Sequence, residues 1–439
     1  MTACNPIKGP TATEALKFWL KLGFISFGGP TGQIAIMHRE LVERRKWVGE
    51  SQFLHALNFC MLLPGPEAQQ LATYIGWLLH RTPGGIAAGG LFVLPSVLIL
   101  WLLSYVYVAH GSVTWIGDAF TGLKPAVVAI VLDAVVRIGR RVLKNAVAWV
   151  LSATAFVAIF FLNAPFPLII FSAGLIGLAG GRFAKKYFLI LKGHSGDDST
   201  ETAALRAALA ASTPPSFARS IRVLVVCLVL WWMPVIAAAR LLGSNAAVTQ
   251  QGIFFSKAAM VTFGGAYAVL PYVAQQAVER YEWLNANQML DGLGLAETTP
   301  GPLIMVVQFV GFVGAWNHPG DLPPLLAATL GALVTTWVTF VPCFLWIFLG
   351  APYVERMRSV ESLMAALSAI TAAVVGVVLN LAVWFAVQVL WKSGIGPDWF
   401  SIAVALVGLV ALVRLRISVL VLVCTAALIG LARGVLVGH

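Results

Sequence analysis

Two Pro-Gly-Pro stretches are the parts of this sequence whose residue types could form a binding site. They are Pro64-Gly65-Pro66 and Pro300-Gly301-Pro302, and each interrupts a long apolar run. Proline lacks a backbone N–H and keeps the residue before it out of the α region, whereas glycine tolerates conformations that other residues avoid. A helix must therefore open at each stretch, and a half-helix can begin at its last proline. The free N–H groups at the positive end of that half-helix would bind an anion.

The candidate donors are backbone groups, because the side chains differ between the two stretches. They belong to Glu67, Ala68 and Gln69 after the first stretch, and to Leu303, Ile304 and Met305 after the second. Among side chains, Gln69 and Gln70 are neutral donors close to the first break and are plausible ligands. Unpaired backbone is costly in lipid and survives only where protein or a water-filled cavity satisfies it. The breaks therefore predict a polar site inside a membrane.

The two stretches belong to an internal duplication. Phe27-Gly28-Gly29 recurs at Phe263-Gly264-Gly265, and 263 minus 27 is 236, which also separates the two Pro-Gly-Pro stretches. The same offset relates Lys21 to Lys257, Glu43-Arg44 to Glu279-Arg280, Trp47 to Trp283 and Gln52 to Gln288. Later the offset grows to 247 for Pro95 and Pro342 and for Asp133 and Asn380, and to 253 for Gly181 and Gly434. Agreement at an ungapped offset identifies a repeat, and the larger offsets indicate insertions in the second copy. We expect the duplicated motifs Phe27-Gly28-Gly29 and Phe263-Gly264-Gly265 to form the substrate site together with the two Pro-Gly-Pro stretches.

Lys21 and Lys257 occupy equivalent positions, each six residues before its Phe-Gly-Gly motif. A lysine inside an apolar run is costly and is by default a functional candidate. The alternative is that each side chain extends from a short helix to the membrane interface. If both lysines bind substrate, a fixed ammonium beside free N–H groups suits a tetrahedral dianion.

Three carboxylates near the breaks could carry a coupling proton. Glu67 follows the first break directly, but its counterpart is Leu303, and it could equally complement the helix dipole, which is the reading we favour. Asp291 and Glu297 precede the second break. Asp133 lies four residues before Arg137, the spacing of a same-face ion pair, so we expect a structural role there.

The composition excludes a soluble protein. The chain has 439 residues, of which 59% are hydrophobic and 11% charged, whereas soluble domains carry about 25% charged residues. At roughly 20 residues per span the apolar length allows about a dozen spans. A net charge of +11 is typical of basic cytoplasmic loops and supports an anionic substrate only weakly. The five cysteines are scattered, histidines do not cluster and no P-loop occurs, so we expect no disulfide, metal, cofactor or ATP-driven pump.

The sequence predicts an all-α polytopic membrane protein of about thirteen spans. Residues 12–183 form an N-terminal repeat of six, 184–219 a cytoplasmic linker, 220–242 an extra central helix and 250–434 a C-terminal repeat of six. The predicted spans cover residues 12–27, 52–79, 84–109, 115–136, 147–162, 166–183, 221–242, 252–263, 288–316, 322–349, 363–391, 399–413 and 417–436. Seven crossings before the second repeat would invert it, which is the plan of many secondary transporters with a midplane site at the broken helices.

The distribution of lysine and arginine favours a cytoplasmic N-terminus and an external C-terminus. Segment 31–50 does not fit this orientation, because it carries Arg39, Arg44, Arg45 and Lys46 on the external side. Either this segment is a re-entrant or surface helix, or its charges line a vestibule for anions.

These motifs, taken in order, resemble the chromate ion transporter family, and specifically its long two-domain members. The resemblance rests on Phe27-Gly28-Gly29-Pro30, Trp47, Pro64-Gly65-Pro66 and Pro95 with their second-half partners, and it covers nearly the whole chain outside the linker and the extra span. Pro30 has Ala266 as its counterpart, so the second copy matches less well. The resemblance implies export of chromate from the bacterial cytoplasm, and hence chromate resistance, with sulfate as a structural analogue.

We therefore expect a transporter of the bacterial inner membrane that exports chromate by alternating access, and not an enzyme. The alternatives are transport of sulfate or another oxyanion, an anion channel, and a membrane enzyme acting on a lipid-linked phosphate. The expected partners are the oxyanion, the lipid bilayer and, as an open alternative, a second copy of the chain, but not nucleic acid.

Overall fold

The computed structural model describes residues 10–111, 113–184, 188, 216–351, 361–392 and 396–437. The described residues are almost entirely helical, apart from a two-residue antiparallel pairing of Trp391–Lys392 with Gly396–Pro397. Nearly all of the predicted linker 184–219 lies outside the described residues.

The described residues of the first repeat form seven α-helices. Helix α1 is Ala12–Ile25, α2 is Gly29–His38, α3 is Glu50–Cys60, α4 is Glu67–His110, α5 is Thr114–Val142, α6 is Ala146–Leu162 and α7 is Phe166–Phe183. A π-helix, Arg39–Arg44, continues α2. Helix α1 begins at a capping box in which Thr11 and Glu14 satisfy each other's backbone N–H groups.

The central helix and the second repeat follow in the same order. Helix α8 is Phe217–Leu241, α9 is Ala247–Met260, α10 is Ala266–Gln275, α11 is Ala286–Thr298, α12 is Val306–Asn317, α13 is Pro324–Gly350, α14 is Glu361–Leu390, α15 is Trp399–Val413 and α16 is Val419–Val437. A π-helix, Gln276–Arg280, continues α10, and a 3₁₀ turn, Leu303–Met305, precedes α12.

Helix α4 is a helical hairpin. Its torsion angles leave the helical region at His80 and Arg81, so residues 67–79 and 82–110 form two arms. A Cβ on Gly85 would lie 3.1 Å from the Thr73 carbonyl oxygen, which shows how closely the arms approach. The turn falls between predicted spans 52–79 and 84–109, and the first of these is interrupted between Cys60 and Glu67. Helices α12 and α13 form the corresponding pair, with a Cβ on Gly311 reaching 2.7 Å from the Gly331 carbonyl oxygen.

The two repeats interdigitate through small residues. A Cβ on Gly430 of α16 would lie 2.7 Å from the backbone nitrogen of Gly122 in α5. A Cβ on Gly177 of α7 would lie 2.8 Å from the Cβ of Ala369 in α14. Offsets of 247 and 253 make these two contacts equivalent. Small residues let helix backbones approach closely in lipid, where no hydrophobic driving force acts between helices.

The segments that carry the two tryptophans also share one conformation. The backbone N–H of Trp47 donates to the Leu41 carbonyl, and that of Trp283 donates to the Ala277 carbonyl, both at 2.9 Å. Trp47 packs edge-on against Phe18 at 5.2 Å, and Trp283 packs against the equivalent Phe254 at 5.8 Å. The predicted surface segment 31–50 is therefore the short helix α2, its π-helix and an ordered turn ending near Trp47.

Seven of the described helices are long and apolar enough to cross a membrane. They are Glu67–His110, Thr114–Val142, Phe166–Phe183, Phe217–Leu241, Pro324–Gly350, Ser362–Leu390 and Val419–Leu436, and three shorter apolar helices accompany them. The protein is thus an all-α, multi-pass membrane protein, whereas the count of thirteen spans stays a prediction.

Candidate anion-binding site

The two Pro-Gly-Pro loops are bound reciprocally, each to the other repeat. The backbone N–H of Gly65 donates to the carbonyl of Thr262 at 2.7 Å, and the N–H of Gly301 donates to the carbonyl of Ser26 at 2.7 Å. Ser26 and Thr262 directly precede the two Phe-Gly-Gly motifs and differ by 236. Each loop therefore docks on the Phe-Gly-Gly motif of the opposite repeat, and the four motifs predicted to form the site meet in two places.

Glycine is required in both loops by backbone conformation. Gly65 has a φ of 125° and Gly301 a φ of 108°, values that L side chains rarely adopt. Gly28 and Gly264 also have positive φ, at 89° and 80°. A Cβ on Gly65 would lie 2.8 Å from the Cys343 Sγ, and one on Gly301 would overlap the Ser96 hydroxyl oxygen. The offset of 247 makes Ser96 and Cys343 equivalent, so both loops sit against the same position of the opposite repeat.

Donors from the first repeat hold the second loop. The Gln33 Nε2 donates to the Gly301 carbonyl and the Ser96 Oγ donates to the Pro300 carbonyl. Gln33 Oε1 and Ser26 Oγ are buried and have no hydrogen-bond partner among the described residues. A buried polar atom without a partner is costly, so these atoms are positioned for a ligand or water. Sequence reasoning missed Gln33 and Ser96, because neither has an identical residue at its equivalent position.

A donor from its own repeat holds the first loop. The Gln70 Nε2 donates to the Pro64 carbonyl at 2.7 Å, and the Gln70 Oε1 is buried without a partner in the described chain. The predicted ligand Gln69 is fully buried, and its Nε2 donates to the Thr73 hydroxyl at 3.1 Å. Its side-chain N–H groups are thus partly engaged, and its role as a ligand stays a prediction.

The half-helices that follow the loops differ. Helix α4 begins at Glu67 with Pro66 as its N-cap and has no side-chain cap, which leaves its first backbone N–H groups available. After the second loop, residues Leu303, Ile304 and Met305 form a 3₁₀ turn and are at most 3% exposed. The Met305 N–H donates to the Pro302 carbonyl at 2.9 Å, so the prediction that it is a free donor is wrong. Apolar side chains also enclose this second turn.

Glu67 lies at the first loop and beside the opposite repeat. A Cβ on Gly265 would be 4.0 Å from its carboxylate oxygen Oε1, and Glu67 is half-buried. The Arg141 guanidinium is close enough to interact electrostatically with this carboxylate. It also approaches the Met61 sulfur at 3.7 Å. Arg141 thus places a positive charge near the first loop.

The other two candidate carboxylates are buried in helix α11, and each accepts a hydrogen bond from a tyrosine. The Tyr267 Oη donates to Glu297 at 2.6 Å, and the Tyr107 Oη donates to Asp291 at 2.9 Å. Asp291 also faces Lys124, with 3.8 Å between Nζ and Oδ1. The predicted pair of Asp133 with Arg137 forms a direct hydrogen bond on one face of α5.

The structure places Lys21 and Lys257 at exposed positions of α1 and α9. Both their predicted contact with substrate and the alternative, extension to the interface, stay predictions. Sequence reasoning missed Lys124, which lies inside span 115–136. The same rule that selected Lys21 could have found it, since a lysine within an apolar span is a functional candidate.

These observations define a multi-pass membrane protein built around two reciprocally bound loops. A sequence profile described as Chromate transporter matches residues 13–178 and 249–431. The chain belongs to this family. The two matched segments correspond to the two copies of the repeat and leave out the central helix α8.

Two relatives that are named chromate transport proteins match most of the chain, and a shorter relative matches about a third of it. A chromate transport protein of Cupriavidus metallidurans is 28% identical over 433 residues, which are 98% of this chain and 95% of that protein. A chromate transport protein of Pseudomonas aeruginosa is 32% identical over 372 residues, which are 82% of this chain and 77% of that protein. An uncharacterized transporter of Bacillus subtilis is 30% identical over 143 residues, 32% of this chain but 71% of that protein. No solved structure shows significant similarity.

Proposed function

We propose that this protein is a secondary transporter that exports chromate from the bacterial cytoplasm by alternating access. Membership of the chromate transporter family and the names of two full-length relatives support the substrate. The observation that carries the mechanism is the reciprocal binding of the two Pro-Gly-Pro loops, each through one 2.7 Å hydrogen bond to the opposite repeat. These bonds join the halves at the two helix breaks, where a transporter of this plan binds its substrate.

The proposed architecture is a pair of inverted repeats, residues 12–183 and 250–434, joined by the linker and the central helix α8. Reciprocal loops and matched glycine contacts support a two-fold relation between the repeats. The short Bacillus subtilis relative supports the repeat as a unit, because less than a third of this chain covers 71% of that protein. With seven crossings before the second repeat, the N-terminus would be cytoplasmic and the C-terminus external.

Chromate would bind at the first loop as a tetrahedral dianion. The free N–H groups of Glu67, Ala68 and Gln69 would donate to its oxygens, as helix N-termini do for other oxyanions. The Arg141 guanidinium would add a positive charge on this side. Glu67 would repel a dianion while ionised, so it would either pair with Arg141 or carry a proton when the substrate binds.

Export of a dianion needs no ATP in a cell that is negative inside. The membrane potential contributes about 2.3 kcal/mol per charge per 100 mV, and it favours an anion that leaves. Glu67, Asp291 and Glu297 are the proposed carriers of an exchanged proton. Lys21 and Lys257 are proposed to attract the anion towards the loops, and their exposure allows this role.

Uptake of radiolabelled chromate by everted membrane vesicles, energised by respiration, tests the proposal. The variants are Pro64→Ala and the double variant Lys21→Ala/Lys257→Ala. Matched controls are Pro234→Ala, a proline inside the central helix α8, and Lys17→Ala, an exposed lysine of α1. We expect saturable uptake that excess sulfate reduces, that the first two variants lose and that the controls keep.

Four outcomes would contradict parts of this proposal. Absence of chromate uptake by the unaltered protein would reject chromate export. Flux that does not saturate would favour an anion channel, and stronger uptake of sulfate than of chromate would favour a sulfate transporter. Activity untouched by Pro64→Ala and by the lysine changes would remove the site from the helix breaks.

A further inference from the structure

Lys124 is a cation inside a membrane-spanning helix. It lies ten residues, or about 15 Å, from the start of α5, and its neighbours Leu123, Pro125 and Ala126 are buried. About a quarter of its side chain is exposed, at 25%. A charged side chain at such a place is costly and marks a binding site or an ion pathway more often than a structural contact.

The partner of Lys124 belongs to the other repeat. Asp291 lies on α11, the helix that leads to the second Pro-Gly-Pro loop, and its side chain is 6% exposed. The Tyr107 Oη donates to Asp291 Oδ2 at 2.9 Å, which fixes the carboxylate. Asp291 Oδ1 is buried, and within the described chain its partner is the Lys124 ammonium at 3.8 Å. Direct hydrogen bonds between such groups measure about 2.7–2.9 Å. The Lys124 and Asp291 side chains therefore form an ion pair without a direct hydrogen bond.

This loose pair contrasts with the other ion pair on α5. Arg137 and Asp133, on a single helix face, form a direct hydrogen bond. An ammonium carries three N–H donors. At 3.8 Å from the Asp291 carboxylate, none of them makes a direct hydrogen bond to it. The Lys124 ammonium therefore keeps the capacity to bind another acceptor.

The repeat relation gives Lys124 a counterpart that lies beside a Phe-Gly-Gly motif. The offset of 247 makes Thr371 the counterpart of Lys124 in α14. Thr371 lies beside Gly264 of the second motif, since a Cβ on that glycine would be 3.7 Å from its Cγ2. Lys124 itself contacts Asp291, which lies nine residues before Pro300 on the helix that leads to the second loop. The counterpart of Asp291 is His55, so the sequence does not repeat this combination of an ammonium and a carboxylate in the other half.

We infer that Lys124 binds the transported oxyanion and that Asp291 is its resting counter-ion, which the oxyanion displaces. This inference rests on the proposed function and adds to it a second position that the oxyanion would occupy, in the half of the protein that holds the second loop. A tetrahedral oxyanion offers several acceptors to an ammonium that Asp291 satisfies only in part. Tyr107 is a positioning residue, because it retains the Asp291 carboxylate when the oxyanion takes Lys124. The half that holds the second loop thereby supplies a cation, which its apolar half-helix lacks.

Chromate transport by purified protein in proteoliposomes tests this inference through KM and maximal rate. Lys124→Gln removes the ammonium, and we expect KM to rise at least about tenfold. A hydrogen bond to a charged group contributes about 1.5–3 kcal/mol of binding free energy, and about 1.4 kcal/mol corresponds to a tenfold change in affinity. Lys124→Arg keeps the charge and should retain binding. Asp291→Asn removes the competing carboxylate and should lower KM while slowing turnover. Tyr107→Phe should change the maximal rate more than KM.

The double variant Lys124→Gln/Asp291→Asn separates this role from a structural ion pair. If the pair is structural, each single change leaves a buried charge unpaired, and the neutral double variant recovers both thermal stability and transport. If Lys124 binds substrate, the double variant recovers stability but keeps the raised KM. The pair Arg137→Gln/Asp133→Asn is the matched control on the same helix, and we expect its KM to stay unchanged.

The outcomes distinguish the two levels of proposal. A wild-type protein without saturable chromate transport would reject the proposed function itself. Saturable wild-type transport, with an unchanged KM in Lys124→Gln or a normal KM in the neutral double variant, would overturn the role of Lys124 alone. Should Lys124→Gln fail to reach the membrane, Lys124→Arg and Asp291→Asn still decide, because an Asp291→Asn protein with unchanged KM would overturn the displacement.

Discussion

The two Pro-Gly-Pro loops share a backbone conformation and differ in the side chains that surround it. Both glycines have positive φ, and both donate a 2.7 Å hydrogen bond to the opposite repeat. The second loop also accepts two hydrogen bonds from side chains of the first repeat, through Gln33 and Ser96. The first loop accepts one from Gln70 of its own repeat and meets the Cys343 thiol where the second meets a hydroxyl.

This difference shows how a duplicated element can specialise without changing its main chain. The first loop is followed by a half-buried carboxylate and lies near an arginine, whereas the second is followed by three buried apolar residues. Side chains of the opposite repeat hold the second loop more firmly than the first. We therefore expect substitutions at the second loop to lower stability and transport more than the equivalent substitutions at the first. Four predictions test this ordering, and the first has the largest expected effect.

We expect Gly301→Ala to abolish transport and to destabilise the protein strongly. Its new Cβ would overlap the Ser96 hydroxyl oxygen, and its φ of 108° is unfavourable for alanine. Thermal inactivation in detergent and the initial rate of chromate uptake measure both effects. Gly320→Ala is the matched control, because Gly320 also has a positive φ, of 61°, but no atom within 4 Å of an added Cβ. Equal losses in both variants would show that φ alone matters.

Gly65→Ala should have a smaller effect of the same kind. The Cβ would approach the Cys343 Sγ and the Gln70 Nε2, both at 2.8 Å, and Gln70 at least is flexible enough to move. We expect a loss of about 1–3 kcal/mol from backbone strain, with residual transport. Combining the change with Cys343→Ala should restore part of the stability. A loss as complete as that of Gly301→Ala would reject the proposed ranking of the loops.

Removal of the amide of Gln33 should cost about 1–3 kcal/mol, because Gln33→Leu leaves the buried Gly301 carbonyl without this donor. The expected readout is a lower midpoint of thermal inactivation, with chromate uptake reduced but measurable. The matched variant is Gln70→Leu, which removes the donor to Pro64 in the first loop. If the first-loop variant is the less stable of the two, the cross-repeat bond is not what fixes the second loop.

The smallest effects on stability are expected from exchanging the residue types of Ser96 and Cys343, the equivalent positions that contact the two loops. Ser96→Cys should weaken the hydrogen bond to the Pro300 carbonyl, since a thiol is a poor donor, by about 0.5–1.5 kcal/mol. Cys343→Ser should change stability by less, because the thiol donates only weakly, at 3.7 Å, to the Thr339 carbonyl. Midpoints of thermal inactivation compare the two. A larger loss from Cys343→Ser would mean that the first loop depends on its neighbour as much as the second does.

Much of the architecture could be predicted from the pattern of residues. The predicted spans 166–183 and 399–413 have the bounds of helices Phe166–Phe183 and Trp399–Val413. The turn of the α4 hairpin falls between two predicted spans, but its tightness could not be predicted. Only two residues, His80 and Arg81, depart from helical torsion angles. Gly76, Gly85 and Gly89 let the two arms approach so closely that these two non-helical residues are enough to connect them. Sequence periodicity does not reveal how closely two helices approach.

The sequence by itself determined the duplication, the membrane character and the residues at which the helices break. These properties depend on residue type and spacing along the chain, since proline and glycine act on their own backbone. The tertiary structure decided which groups meet across the repeats. The bond from Gln33 to Gly301 spans 268 residues, and the one from Ser96 to Pro300 spans 204. Pairings such as these, and that of Lys124 with Asp291, follow from how helices pack, which no local pattern encodes.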